Sequence, residues 1–260
     1  MNRLWNRVSV VAVAALLGLG LSPSVAAETV YVDGIDAAFP PFSFIGEDGQ
    51  PSGFDVEIVQ WIADEFGFEV KIVPVDWDAI IPTLLTGEID FIASGMTITA
   101  ARAERVAFTE PYWSVDLAVV VREGPGPDGE TAPEFNLFTL MRDERRVGVQ
   151  RGTTSQTWLE ENVLGSGIGV KLILYDNFLL ALEDLEIGRL DGAVMDAPTA
   201  ISSIADRPLA VVGTIATGEI YGYAVRQQDV DLLELLNEGL RRIQASGVWD
   251  ALVEKWLVGT

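Results

Sequence analysis

The run SGMTITAAR at residues 94–102 gathers the groups that a free carboxylate needs. Gly95 leaves room for backbone N–H groups to approach a ligand. Thr97 supplies a hydroxyl, and Arg102 a planar guanidinium fork that can grip a carboxylate through two parallel hydrogen bonds. The apolar residues 89–93 before it predict a buried strand, and residues 100–106 predict a helix with Thr99 as N-cap. A helix N-terminus placed there favours an anion. Taken alone, the segment also fits an ordinary strand-to-helix turn carrying a surface arginine.

A second segment supplies the opposite charge. LLTGEIDFIASG (84–95) is echoed by LEIGRLDGAVMD (185–196). In both, a helix ends at a glycine (Gly87, Gly188) suited to the C′ position, then passes an acid into an apolar strand. Aligning the glycines sets Gly95 opposite Asp196, each at a strand's carboxyl end, where open α/β sheets bind ligands. Facing walls of this kind suit a zwitterion, with Gly95, Thr97 and Arg102 for its carboxylate and Asp196 for its ammonium. Strand-end acids are common, so Asp196 by itself would decide nothing. VGVQRGTTS (147–155) adds a strand, a glycine turn and hydroxyls at a helix start, from which Thr154 could reach the same carboxylate. It lacks the GK[ST] ending of a phosphate loop.

The elements around these motifs alternate. Strands are predicted at 29–35, 69–75, 91–94, 117–121, 147–150, 171–175, 192–195 and 222–225. Helices are predicted at 55–66, 78–85, 100–106, 155–164, 178–187, 198–205, 232–245 and 249–257. This is the signature of an α/β architecture with mainly parallel sheets. The turn-rich EGPGPDGE at 123–130 reads as a loop where the chain crosses into a second lobe.

Composition removes several chemistries. With no histidine and no cysteine, the usual zinc sites, Ser-His-Asp triads and thiol nucleophiles are excluded, as is a disulfide framework. Net charge is −22, so nucleic acid and anionic lipid surfaces are poor partners. No metal or organic cofactor is expected. At the N-terminus, Arg3 and Arg7 precede an apolar run (8–21) and the small residues 25–27, a secretory signal peptide over residues 1–27. Its removal takes away two arginines and no acid, and leaves 233 of the 260 residues at −24. Without a cysteine there is no thiol for lipid attachment. The expectation is an exported, unanchored protein held in a periplasm.

With these residues in place, the chain resembles periplasmic solute-binding proteins of the polar amino-acid type (family 3), which serve ABC importers. The resemblance covers residues 28–260. It rests on GFDVEI (53–58), DAAFPPF (36–42), WDAIIP (77–82), GMTIT (95–99) with Arg102, RGTT (151–154) and residues 191–196, in family order and at similar spacing.

The resemblance implies a type II periplasmic-binding-protein fold, two α/β lobes joined by two crossover strands with the ligand cleft between them. Lobe 1 would be discontinuous, 28–116 plus 218–260, and lobe 2 would be 117–217. Carried over by position, Arg102 binds the α-carboxylate with Thr97 and Thr154. The Gly95 carbonyl and Asp196 receive the α-ammonium, Phe39 and Trp77 sandwich the side chain, and Asp36 reaches its polar end. Tyr221 lies near the second crossover as a further candidate. On residue chemistry alone, Phe39 fits a core, Asp36 fits a turn cap, and Trp77 needs a partner for its indole N–H if buried.

Arg151, at the lobe 2 mouth, could accept an acidic tip or pair with Asp36, and Met195 stands where some relatives place a polar group. The expected ligand is a polar L-amino acid, glutamine-like or basic ahead of acidic. The expected partners are that free amino acid and an inner-membrane ABC permease with its ATPase, the protein acting as a monomer and not as an enzyme. Two rivals share the fold. An exported dehydratase would need a general acid in the cleft, for which Asp55 and Glu57 on the signature helix are poorly placed. A sensory role would need a separate membrane receptor, since no span or signalling domain precedes Thr260.

Overall fold

The structure is a computed structural model that describes residues 29–124, 140 and 144–258. The expected signal peptide (1–27) and residues 125–130 of the expected loop lie outside the described residues. Among the described residues no helix is long and apolar enough to cross a membrane.

The chain opens with β1 (Val30–Ile35), followed by a ribbon of β2 (Ala38–Phe39), β3 (Ser43–Ile45) and β4 (Pro51–Ser52). Next come α1 (Phe54–Phe66), β5 (Glu69–Pro74), α2 (Trp77–Thr86), β6 (Phe91–Ile92), the four-residue α3 (Ala100–Ala103) and β7 (Ala107–Phe108). It continues through β8 (Trp113–Arg122), β9 (Arg146–Gln150), α4 (Thr154–Asn162), β10 (Lys171–Tyr175) and α5 (Phe178–Glu186). β11 (Gly192–Asp196), α6 (Ala197–Ile204) and β12 (Leu209–Tyr221) lead to β13 (Ala224–Val225), α7 (Val230–Gln244) and α8 (Gly247–Trp256).

Two large sheets result, ordered β5-β1-β6-β13-β7 and β10-β9-β11-β8-β12. The chain passes from the first to the second between β7 and β8, and returns between β12 and β13. The two passages are tied together: Thr109 N–H donates to the Tyr223 carbonyl at 2.9 Å, and Tyr112 N–H to the Tyr221 carbonyl at 3.0 Å. The outward passage therefore lies before the 123–130 loop, not at it. The sheets are also more mixed than the alternation suggests. β1 and β9 pair in parallel with their neighbours, whereas β8 and β13 pair antiparallel with theirs.

Each sheet is covered on both faces by amphipathic helices. α1 and α7 pack Phe54, Ile58, Ile62, Leu236 and Leu240 into one core. In the second sheet, α5 buries Phe178, Leu182 and Leu185, while Val147 and Val149 of β9 pack with Leu159 and Val163 in a separate cluster. A side chain of this size contributes about 1.5–3 kcal/mol when it leaves water. The strand β12 was not anticipated. Its Gly, Thr and partly exposed positions do not repeat with period two, and its pairing with β8 shifts register twice. α3 is shorter than the expected 100–106, so the helix-dipole argument for an anion there loses most of its force.

Candidate functional site

The carboxyl ends of β1, β6, β9 and β11 converge on one narrow cleft. Asp36, Phe39, Trp77, Gly95, Thr97 and Arg102 line it from segments of the first sheet, and Gln150, Thr153, Thr154, Phe178 and Asp196 from segments of the second.

Arg102 is fixed before any ligand is considered. Its Nη1 donates to the Thr97 carbonyl at 2.8 Å and its Nη2 to the Gly152 carbonyl at 3.1 Å. The guanidinium lies over the Trp77 ring, 5.2 Å from its centroid, and Trp77 Nε1 donates to the same Gly152 carbonyl at 3.2 Å. Both acceptors are neutral, so the positive charge is not consumed, and a guanidinium has further N–H groups to give. Desolvation lowers the Arg102 pKa, while Asp196 and Glu219 pull it back up. Thr99 Oγ1 accepts from Arg102 N–H at 3.2 Å, the N-cap that sets where the side chain leaves the turn.

Asp196 ends β11 and is almost fully buried. Burial pushes its carboxyl up to about 7, and Glu219 adds to the rise. The hydrogen bond from the Tyr221 hydroxyl and the charge of Arg102 act against it. Asp36, at the end of β1, accepts from Ala38 N–H at 3.0 Å and from Gln150 Nε2 at 2.7 Å. Burial raises its pKa as well, and the Gln150 bond opposes that shift. Phe39 stacks on Phe42 with centroids 5.7 Å apart and lies 6.0 Å from Phe178.

Gly95 departs from its expected role in one respect. Its N–H points away from the cleft and donates to Asp55 Oδ2 at 2.7 Å. Its φ is 55°, and a Cβ there would lie 2.4 Å from Phe39 Cε1, so only glycine fits between the turn and the ring. Asp55 also accepts from Tyr112 Oη (2.9 Å) and Tyr223 Oη (3.2 Å), and burial lifts its pKa to about 7.

Eight of the ten expected residues therefore meet at the cleft: Asp36, Phe39, Trp77, Gly95, Thr97, Arg102, Thr154 and Asp196. Arg151 does not. It follows the last residue of β9, points to the outside, and pairs with Asp78 (3.7 Å) and Asp176 (3.4 Å), not with Asp36. Its neighbour Gln150 takes Asp36 instead, because successive side chains at a strand end face opposite ways. Tyr221 is fully buried behind the cleft and acts on it through Asp196.

Gln150, Thr153, Phe178 and Glu219 were not foreseen. Gln150 and Thr153 sat inside the quoted 147–155 motif, and Phe178 follows the carboxyl end of β10, where the strand-end rule points. Glu219 gave no local signal. Its Oε2 accepts from Thr97 Oγ1 at 3.0 Å and from Thr154 Oγ1 at 2.7 Å.

Residues 31–259 match the family described as bacterial extracellular solute-binding proteins, family 3. The L-arginine-binding protein of Pseudomonas aeruginosa is 33% identical over 256 residues, covering 93% of this chain and 95% of that protein. The L-cystine-binding protein TcyJ of Escherichia coli is 30% identical over 259 residues, covering 96% and 93%. Among solved structures, an ancestral arginine-binding protein bound to arginine superposes with a TM-score of 0.78 at 35% identity, covering 88% of this chain and 99% of that one.

Proposed function

The chain belongs to the bacterial extracellular solute-binding proteins of family 3, and we propose that it binds a polar L-amino acid in the periplasm and delivers it to an ABC importer. The observation that carries this reading is the pairing of opposite charges across one cleft, Arg102 on one wall and Asp196 on the other. A zwitterion places a carboxylate and an ammonium a few ångströms apart. A neutral sugar or a metal ion carries no such pair of opposite charges to match it.

The cleft also favours a cationic or amide-bearing side chain over an acidic one. Arg102 is the one basic residue among those lining it, against the carboxylates of Asp36 and Asp196. An acidic ligand would add a further negative charge. Asp36 suits the polar tip, with Phe39 and Trp77 flanking the stem of the side chain. Lobe 1 is then residues 28–116 plus 218–260 and lobe 2 residues 117–217, joined through β8 and β12 and closing on the ligand by rotation about this pair of crossover strands, which bonds at 109–112 and 221–223 tie together. The named relatives are binding proteins, and the same non-enzymatic role is proposed here. The partner is an inner-membrane permease with its ATPase.

A thermal-shift screen of the proteinogenic amino acids tests the reading. A ligand that binds only the folded state adds about 2.7 kcal/mol at a hundredfold excess over Kd. The corresponding decarboxylated amine should give no shift. Stabilisation by sugars or metal ions with none by amino acids would defeat the proposal.

A further inference from the structure

Glu219 reaches the edge of the cleft, against two of the residues that line it, because β12 is irregular. From Ile215 to Glu219 the strand advances four residues while its partner on β8 moves only from Leu117 to Val115. A bulge of this kind re-aims side chains. Gly218, at φ 66°, supplies the left-handed turn. The carboxylate then lands between two hydroxyls from opposite walls, Thr97 and Thr154.

A carboxylate can only accept hydrogen bonds, and a threonine hydroxyl has one proton and two lone pairs. Both protons point at Glu219, so what either hydroxyl can show a ligand is a lone pair. We propose that Glu219 sets the hydrogen-bond polarity of the cleft, turning Thr97 and Thr154 into acceptors and so selecting ligands rich in N–H groups. This rests on the amino-acid-binding reading above and refines it. It departs from the expectation that the Thr97 and Thr154 hydroxyls assist Arg102, and leaves the α-carboxylate to Arg102 and to backbone N–H groups. The α-ammonium and a cationic or amide side chain meet a surface made of acceptors: Asp36, Asp196 and the two threonine oxygens. Glu219 is a positioning residue here, acting through the threonines.

Calorimetry with L-arginine, L-glutamine and L-glutamate on wild type and Glu219→Gln tests this. The wild type establishes first whether amino acids bind at all, and a failure there strikes the underlying reading and not the role of Glu219. In Glu219→Gln, the freed hydroxyl proton and the lost charge should lower the arginine-to-glutamate affinity ratio by about tenfold or more, the size of one charge-assisted hydrogen bond. L-Glutamate should gain in absolute affinity. Thr154→Val removes one of the two hydroxyls with little change of shape, and in that background the effect of Glu219→Gln should shrink. Equal weakening of all three ligands would mean that Glu219 only ties the lobes together. That result, an unchanged ratio, or an effect undiminished by Thr154→Val would overturn the proposal.

Discussion

The Arg102 guanidinium donates to the backbone carbonyl of Gly152 at 3.1 Å, so the cation on one wall of the cleft is held by the main chain of the other. Trp77 donates to the same oxygen, at 3.2 Å. One carbonyl thus sets the position of both the expected carboxylate clamp and the aromatic flank beside it.

Arg102→Ala should weaken every amino-acid ligand alike. Removing one partner from a desolvated charge pair typically costs about 2–5 kcal/mol, a loss of roughly 30- to 4000-fold in affinity. Calorimetry with L-arginine and L-glutamine reads it directly. A change in ligand ranking without a general loss would assign the guanidinium to the side-chain pocket instead.

Asp36→Asn should do the reverse. Asp36 lines the cleft at the end of β1, its Oδ2 accepting from Gln150 and its Oδ1 from Ala38 N–H. Loss of its charge should hurt L-arginine most and L-glutamine least, changing the order of affinities. A competition assay across L-arginine, L-glutamine and L-alanine measures the ranking, and a uniform drop would contradict the assignment.

Affinity should rise with pH across the acid range. Asp196 must be ionised to receive an ammonium, and burial holds its pKa near 7. Below that value binding has to displace a proton, so affinity should climb by up to about tenfold per pH unit and level off above 7. Asp196→Asn should bind more weakly and lose the slope. Titrations at several pH values between about 5.5 and 8 decide it, and a slope that survives in the variant would point to another group.

Asp55 offers a stability test that needs no ligand. Its folded pKa, raised by burial from 3.8 to about 7, means the folded state holds the proton more tightly than the unfolded chain. The stability this proton contributes is fully present below about pH 4 and is lost as pH rises through 7. Asp55→Asn keeps the shape without the charge. The melting temperature of the variant should therefore gain on wild type as pH rises from 4 to 8, followed by near-UV circular dichroism. A constant difference across that range would show that Asp55 is ionised throughout.

The residues that carry charge logic were legible because their signals are local. Arg102 lies three residues past its cap at Thr99, and Gly87 and Gly188 close their helices in the left-handed conformation, at φ 83° and 77°. Apolar periodicity likewise placed α1, α5 and α7 within two or three residues of their ends. The antiparallel character of β8 and β13 was not legible, since strand direction depends on where a chain returns and not on its composition.

The amino-acid sequence alone determined the alternating α/β pattern and the exclusion of histidine and cysteine chemistry, and it put Arg102 and Asp196 forward as candidates for facing charges. Tertiary structure decided what those groups face. Adjacent positions at the end of β9 part ways, Gln150 going in to Asp36 and Arg151 going out to Asp78 and Asp176, and a one-residue difference of register would exchange them. Glu219 reaches Thr97 across 122 residues and Thr154 across 65, through a bulge whose position no short-range pattern records. Hydrogen-bond polarity in the cleft depends on such long-range partners, because a hydroxyl donates or accepts according to what stands beside it.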